Sequence, residues 1–172
     1  MKKLSAILIF VAICFGSANA QKLPCSAPEF REFDFWIGNW EVYGKKQQLA
    51  GTSKISLILD SCVILEEWTS AGKQSNLIYQ GKSFNSYNSS RKQWQQTWVD
   101  NTGNTTEYLR GTAENGKIIF YADNVADATG KSFMRRLSFT KISDSKVRQL
   151  GEKSDDNGKT WTIEFDLEYR KI

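Results

Sequence analysis

The chain has 172 residues, of which 24% are charged and 40% are hydrophobic, and it contains no histidine. This length supports one domain with one core. The missing histidine excludes Ser-His-Asp and Cys-His nucleophile arrangements and histidine-based zinc sites. The formal net charge is only +4 and no strong basic cluster is present, so we predict no nucleic-acid partner.

Residues 1–20 have the pattern of a secretory signal peptide. Lys2-Lys3 gives a basic start, Leu4 to Phe15 is a short apolar run, and Ala18-Asn19-Ala20 supplies a small-residue cleavage site. The apolar run is shorter than the roughly 20 residues that span a bilayer. We therefore expect cleavage before Gln21 and an exported protein, periplasmic or secreted.

A lipoprotein anchor is the competing interpretation of this start. Ile13 and Pro24 precede Cys14 and Cys25 at the position where an anchor requires a small residue, so we predict no stable membrane anchor. Cleavage also removes two lysines, which leaves 21 basic and 19 acidic side chains and a net charge of +2.

Two cysteines, Cys25 and Cys62, remain after cleavage. An even pair in an oxidising compartment is typical of a disulfide, which we predict as a structural bridge. Two buried free thiols are the alternative.

The segment 21–35 contains the only helix signal. Pro28 stands early in it, and Phe30 and Phe33 are three residues apart, a spacing that suits a single helical turn with both rings on one side. We expect the aromatic rings of this turn to pack into the structure that follows it.

Residues 36–172 break into short runs of alternating character, as a single β domain would. Alternation is strongest at Trp161, Ile163, Phe165, Leu167 and Tyr169, and it recurs at Ile55, Leu57, Leu59 and at Phe133, Leu137, Phe139. Turn residues rich in Gly, Asn and Asp separate the runs. About nine or ten strands in series predict an antiparallel all-β sandwich or barrel.

The octapeptide SDDNGKTW, Ser154 to Trp161, resembles the Asp box of sialidase propellers. A propeller needs several repeated blades, and this chain has no such repeat. We expect instead a hairpin in which Asp156 accepts turn amides, Gly158 takes the strained position and Trp161 packs beneath. A calcium loop is excluded because Lys153 stands where the first acidic ligand should be, and we predict no metal site.

The string FDFWIGNW, Phe33 to Trp40, carries a second resemblance. Together with Gly51-x-x-x-Ile55, Trp94-x-x-x-Trp98 and SDDNGKTW, it resembles an uncharacterised, mostly bacterial, exported family of lipocalin-like (calycin) domains. The resemblance implies an antiparallel up-and-down barrel of about 8–10 strands, like lipocalins and nitrobindin, with the helical turn closing one end. It also implies that Gly38 and Trp40 open the first strand.

The same resemblance implies roles for particular residues. Lipocalins place an arginine over the tryptophan of the opening motif, and Arg170 is the candidate to stack on Trp40. Phe30 and Phe33 would cover the same ring. Nitrobindin binds haem through a histidine, which this chain lacks, so we predict no haem and no other cofactor.

Glu66 and Glu67 form the most suggestive acidic pair. Neighbours on a strand face opposite sides, so one carboxylate points into a barrel and the other does not. Alternation with Ile64 and Trp68 favours Glu66 as the inward carboxylate, whereas alternation with Val63 and Leu65 favours Glu67 in that role. A buried carboxylate needs a partner, for which Arg110 or Arg135 is the candidate. A structural ion pair is the simpler interpretation, and we assign no catalytic residue.

Aromatic side chains with a polar edge could line a ligand pocket or simply pack. The predicted ligand-binding set is Glu66, Trp68, Tyr79, Gln96, Trp98, Tyr108, Arg110 and Tyr121. It favours an exported barrel that holds a small, largely apolar molecule. The alternatives are an isomerase or hydratase that uses a cavity carboxylate, and a filled barrel that serves as an interaction domain without a ligand.

Overall fold

The computed structural model describes residues 24–126 and 129–172. The predicted signal peptide, residues 1–20, lies outside these ranges. Among the described residues, no helix has the length and apolar character needed to cross a membrane.

Ten antiparallel strands form a closed barrel, in which each strand pairs with the next along the chain and the last pairs with the first. This confirms the predicted all-β up-and-down barrel. The strands are β1 Gly38–Gly44, β2 Leu49–Ile58, β3 Val63–Gln74, β4 Leu77–Asn88, β5 Gln93–Asp100, β6 Thr105–Glu114, β7 Lys117–Ala126, β8 Ser132–Ser143, β9 Lys146–Ser154 and β10 Thr162–Lys171.

The hairpins alternate between the two ends of the barrel because every neighbouring pair is antiparallel. We call the end where β1 begins the closed end; the turns after β2, β4, β6 and β8 lie there. The turns after β1, β3, β5, β7 and β9 lie at the other end, which we call the open end.

The N-terminal segment forms two 3₁₀ turns, Pro28–Arg31 and Asp34–Trp36, beside the closed end. Phe33 and Trp36 are fully buried and stack on each other with ring centroids 5.0 Å apart. Phe139 lies 4.4 Å from Trp36, and Phe120 lies 5.9 Å from Phe33. The half of the barrel near the closed end is therefore filled by aromatic rings, of which the predicted turn supplies Phe33, while Trp36 follows directly after it.

Cys25 and Cys62 are bonded to each other, as predicted. Cys62 lies in the turn between β2 and β3, so the bridge ties the N-terminal segment to the closed end. Chain entropy assigns a loop of this length roughly 3–4 kcal/mol of stabilisation.

Gly38 and Trp40 open β1 at the closed end. Gly38 has φ +145°, a backbone conformation that residues with a side chain rarely adopt, so the position favours glycine. Trp40 is fully buried, and its Nε1 donates to the carbonyl oxygen of Trp36 at 2.8 Å. The motif thus joins the first strand to the segment that precedes it.

Arg170 does not lie over Trp40. Its guanidinium lies 4.1 Å from the ring centroid of Tyr43, whereas Nζ of Lys171 lies 5.5 Å from that of Trp40. The reason is register, because Trp40 pairs with Lys171 and Arg170 pairs with Glu41 on the outer face. Nor does Phe30 cover Trp40, since its ring contacts Tyr87 with centroids 5.2 Å apart.

The hairpin between β9 and β10 has the geometry expected of SDDNGKTW. Oδ1 of Asp156 accepts the amide of Thr160 at 2.9 Å, and Oγ of Ser154 accepts the amide of Gly158 at 2.8 Å. Gly158 has φ +82°, and Trp161 donates from Nε1 to its carbonyl oxygen at 3.0 Å. The Thr160 hydroxyl and amide hold the pKa of Asp156 down at about 2.

Two predicted alternations break where the structure has irregular backbone. A bulge in β10 between Ile163 and Phe165 places Ile163 opposite the outward Glu152, so Ile163 is on the outer face while Phe165 and Leu167 face inward. Leu59 lies past the end of β2 in a turn, has φ +51° and is exposed.

Candidate functional site

The half of the barrel near the open end is hollow. A cavity of about 860 Å³ lies between the aromatic core and the open end. Its walls include Trp68, Trp98, Phe133, Phe165 and Leu167, and Glu66 lies at its inner end. We call this inner end the floor of the cavity.

Glycines in the wall leave room for the large rings that surround the cavity. A Cβ added to Gly51 would approach the ring of Trp68 to 2.8 Å, and a Cβ on Gly81 would overlap the ring of Trp98. Phe165 lies against its cross-strand partner Gly151 in the same way. Because the three rings fill the space over glycines, they occupy less of the centre of the barrel, which stays open.

Glu66 is the inward carboxyl, with only 2% of its surface exposed. Its Oε1 lies 2.9 Å from Oγ of Ser53 and 3.1 Å from the hydroxyl of Tyr169, and its Oε2 lies 3.0 Å from Oγ of Ser83. Burial raises the pKa of Glu66, and the hydrogen bonds from the three hydroxyls oppose that rise. Glu67 is on the outer face, where Nζ of Lys82 lies 2.8 Å from its Oε2.

The expected arginine partner of Glu66 is absent among the described residues. Arg135 does face the cavity, but its guanidinium is paired with Glu164, Nε lying 2.9 Å from Oε2. Arg110 is outside the barrel and pairs with Asp123 at 3.0 Å. The predicted ion pair is therefore wrong, because hydroxyl groups on three other strands satisfy the carboxyl without a cation.

A chain of amide and hydroxyl groups extends the floor from Glu66. Asn85, fully buried, donates from Nδ2 to the carbonyl oxygen of Ile64 and to Oγ of Ser83, both at 3.0 Å. Because a backbone carbonyl can only accept, the Asn85 amide is fixed, and its Oδ1 accepts from Nε2 of Gln96 at 2.7 Å. It also follows that Ser83 accepts from Asn85 and donates its own proton to Glu66.

Among the buried residues that line the cavity, three side-chain polar atoms have no hydrogen-bond partner in the described chain: the hydroxyl of Tyr108, Oε1 of Gln96 and the amide nitrogen of Gln149. Their side chains are 7%, 2% and 8% exposed, and all three line the cavity. Burial raises the pKa of Tyr108 to about 12, so its hydroxyl is neutral. Buried polar groups normally find a partner, and these atoms are free to bind a ligand in the cavity.

Tyr79 and Trp98 form a fixed wall near the open end. Nε1 of Trp98 donates to the Tyr79 hydroxyl at 3.1 Å, and that hydroxyl donates to Oδ2 of Asp100 at 3.0 Å. Burial and the hydrogen bond to Asp100 raise the pKa of Tyr79 to about 12 even though the bond from Trp98 opposes them. The loop residue Thr102 holds Asp100 from the other side, its amide donating to Oδ1 at 2.9 Å.

Arg110 and Tyr121 do not line the cavity, which corrects two predicted site residues. A bulge in β6 sets both Leu109 and Arg110 between the inward Tyr108 and Gly111, and it turns Arg110 outward. Tyr121 lies between the buried Phe120 and Ala122 and therefore faces outward. There the Arg110 guanidinium lies 4.3 Å from the centroid of the Tyr121 ring.

The structure brings together Glu66, Trp68, Tyr79, Gln96, Trp98 and Tyr108 of the predicted set. Sequence reasoning missed the polar residues that complete the floor: Ser53, Ser83, Asn85, Gln149 and Tyr169. One signal was present, because Gly81, Ser83 and Asn85 alternate along β4, small and polar on the face that turns inward. In the described ranges, no group of three acidic or cysteine side chains converges as a metal site.

No family model and no curated protein matches this chain. The resemblance to lipocalin-like domains stays a prediction from the residues quoted above.

Proposed function

We propose that this protein is a binding protein whose barrel holds one small molecule, with the apolar body of the ligand against the aromatic walls and its polar end at the floor. The observation that carries the proposal is the hollow half of the barrel, closed at its inner end by buried polar groups. Small-molecule sites are usually concave and mostly apolar, with a few placed polar anchors.

The size and lining of the cavity support this function. Its volume of about 860 Å³ falls within the roughly 300–1,000 Å³ of typical ligand pockets. Trp68 and Trp98 offer flat apolar faces, while Phe133 and Leu167 add aliphatic and aromatic surface on the opposite strands. The cavity argues against the filled-barrel alternative, in which side chains would occupy this space.

The enzyme alternative has less support. Glu66 is held by three hydroxyl groups, an arrangement that fixes a carboxyl in place and uses its oxygens. A general acid or base needs a free lone pair or proton directed at the substrate. We therefore propose binding rather than an isomerase or hydratase.

We also propose that the protein acts outside the cytoplasm, in the periplasm or as a secreted protein. The predicted signal peptide supports this, and so does the Cys25–Cys62 disulfide, since such bridges persist in oxidising compartments. A lipocalin-like membership is part of the same proposal and rests on the motif resemblance.

The test uses N-phenyl-1-naphthylamine, an uncharged apolar dye that fluoresces in apolar pockets. Leu167→Trp should fill the cavity just above the floor, whereas Ile163→Trp adds the same ring on the outer face of the same strand. We expect saturable dye binding by the wild type and by Ile163→Trp, and at least tenfold weaker binding by Leu167→Trp. Equal binding by all three proteins, or none by the wild type, would reject the proposal. Thermal unfolding of each variant confirms that it is folded.

A further inference from the structure

We propose that the floor recognises an uncharged head group that both donates and accepts hydrogen bonds, an amide or an alcohol at the end of an apolar chain, in preference to a carboxylate or an ammonium group. This inference rests on the proposed function, because it specifies which end of the ligand reaches the floor.

The free atoms at the floor have complementary hydrogen-bonding roles. The orientation of the Gln96 amide is set through Asn85 by the Ile64 carbonyl, which leaves Oε1 of Gln96 as an acceptor. The neutral hydroxyl of Tyr108 can donate and accept. Gln149 accepts from Tyr169 through Oε1 at 2.9 Å, which leaves its Nε2 as a donor. A head group with one donor and one acceptor matches the hydrogen-bonding roles of these atoms.

Within residues 24–126 and 129–172, no free counter-charge lies at the depth that a carboxylate head would reach. The cations that line the cavity are Arg135 and Lys153, and both are already engaged by acidic groups. Arg135 pairs with Glu164 through two nitrogens, and Nζ of Lys153 lies 3.3 Å from Asp155. A carboxylate placed at the floor would instead sit beside Glu66, and a buried charge without a partner is strongly unfavourable.

An ammonium head would need Glu66 to be ionised, and the burial of Glu66 without a contacting cation among the described residues favours a neutral carboxyl. The Tyr169 hydroxyl has one proton and lies 2.9 Å from Oε1 of Gln149 and 3.1 Å from Oε1 of Glu66. When Tyr169 donates to Gln149, its contact with Glu66 is satisfied by a neutral carboxyl that donates from Oε1, and the burial of Glu66 raises its pKa toward that form. Oε2 stays an acceptor for Ser83. A carboxyl that carries its proton does not attract a cation.

The experiment compares four ligands that share a ten-carbon chain: decanamide, decan-1-ol, decanoate and decylammonium. Each displaces N-phenyl-1-naphthylamine from the wild-type protein at pH 7. We expect the amide and the alcohol to displace the dye at concentrations at least tenfold below those of the two charged ligands. Displacement by decanoate or decylammonium at equal or lower concentrations would overturn the inference, as would failure of all four ligands to displace the dye.

Tyr108→Phe tests the floor directly, with Tyr121→Phe on the outer face as its matched control. Loss of one neutral hydrogen bond should weaken decanamide binding by roughly five- to tenfold. Dye affinity and decanamide affinity should both stay unchanged in Tyr121→Phe. Unchanged decanamide affinity in Tyr108→Phe would overturn the inference while saturable dye binding still supported the proposed function. Absence of dye binding by the wild type would reject the proposed function itself.

Discussion

Tyr169 and Glu66 are 103 positions apart in the chain, yet the tyrosine hydroxyl lies 3.1 Å from the carboxyl Oε1. Tyr169 is on β10 and Glu66 is on β3, and these strands are not neighbours in the sheet. The contact therefore crosses the interior of the barrel. It marks the level at which the filled half ends and the cavity begins.

Glu66 should make the folded protein less stable as the pH rises. Burial raises its pKa above the ordinary value of 4.5, so the folded state holds the proton more tightly than the unfolded state. The stabilisation is complete below pH 4.5 and is lost as the pH rises through the folded-state pKa, by at most about 1.4 kcal/mol per pH unit. Tyr169, the titratable group in contact, stays neutral because burial and Glu66 raise its own pKa well above 10.

The measurement is the free energy of urea unfolding of the wild type and Glu66→Gln between pH 5 and pH 9. As the pH rises, the free energy of unfolding of the wild type should fall relative to that of Glu66→Gln. Glu67→Gln is the control: Lys82 lowers the pKa of Glu67, so its own effect lies below pH 4.5. Parallel curves for Glu66→Gln and wild type would show that the Glu66 carboxyl titrates normally.

Replacement of Trp40 should be costly because the ring is fully buried where β1, β10 and the N-terminal segment meet. Trp40→Ala should lower the free energy of unfolding by roughly 3–5 kcal/mol, as large-to-small core changes do. Phe84→Ala removes a ring that is 43% exposed on the outer face and should cost far less. Similar denaturation midpoints for the two variants would show that Trp40 does not stabilise the protein as a core residue.

The Cys25–Cys62 disulfide should form in every molecule and should stabilise the fold. Thiol titration of the unreduced, denatured mature protein should detect no free cysteine. Cys25→Ser/Cys62→Ser should lose roughly 3–4 kcal/mol of stability in chemical denaturation, because the unfolded chain regains the freedom of the open loop. Two titratable thiols in the purified exported protein would contradict the bridge.

Gly81 should be required for an open cavity. Gly81→Ala introduces a methyl group where the Trp98 ring lies, so the ring must move toward the centre of the barrel. We expect a loss of roughly 1–3 kcal/mol from overpacking and a weaker affinity for N-phenyl-1-naphthylamine. Gly72→Ala is the matched control, since nothing lies within 4 Å of a Cβ added there. Equal dye affinity in both variants would show that Gly81 is not needed to keep the cavity open.

Regular alternation and turn chemistry predicted most of the barrel from the sequence. The hairpin at Asp156 and Gly158 and the aromatic turn at Phe33 follow from local residue types, which act over a few positions. The bulges in β6 and β10 could not be predicted in the same way. One extra residue in β6 and one in β10 reverse the faces of Arg110 and Ile163, and no residue type there signals the change.

The floor escaped prediction for a different reason. Ser53 and Ser83 are separated from Glu66 by 13 and 17 positions, and Tyr169 by 103. Their convergence depends on the register of four strand pairs, from β10 through β1, β2 and β3 to β4, so a single sequence does not reveal it. We expected an arginine because a buried carboxylate needs a partner. The prediction failed because neutral hydroxyl groups satisfy the hydrogen bonds of the Glu66 carboxyl in place of a cation.

Pairing between β1 and β10 closes the barrel, with Trp40 opposite Lys171. This contact joins segments near the two extremes of the described chain, so ring closure is the step with the longest sequence separation and should come late in folding. Until then β1 and β10 each present an unpaired edge that can recruit strands from other molecules. A chain deprived of β10 would keep an open edge on β1 permanently, and β10 therefore protects the newly made protein against self-association.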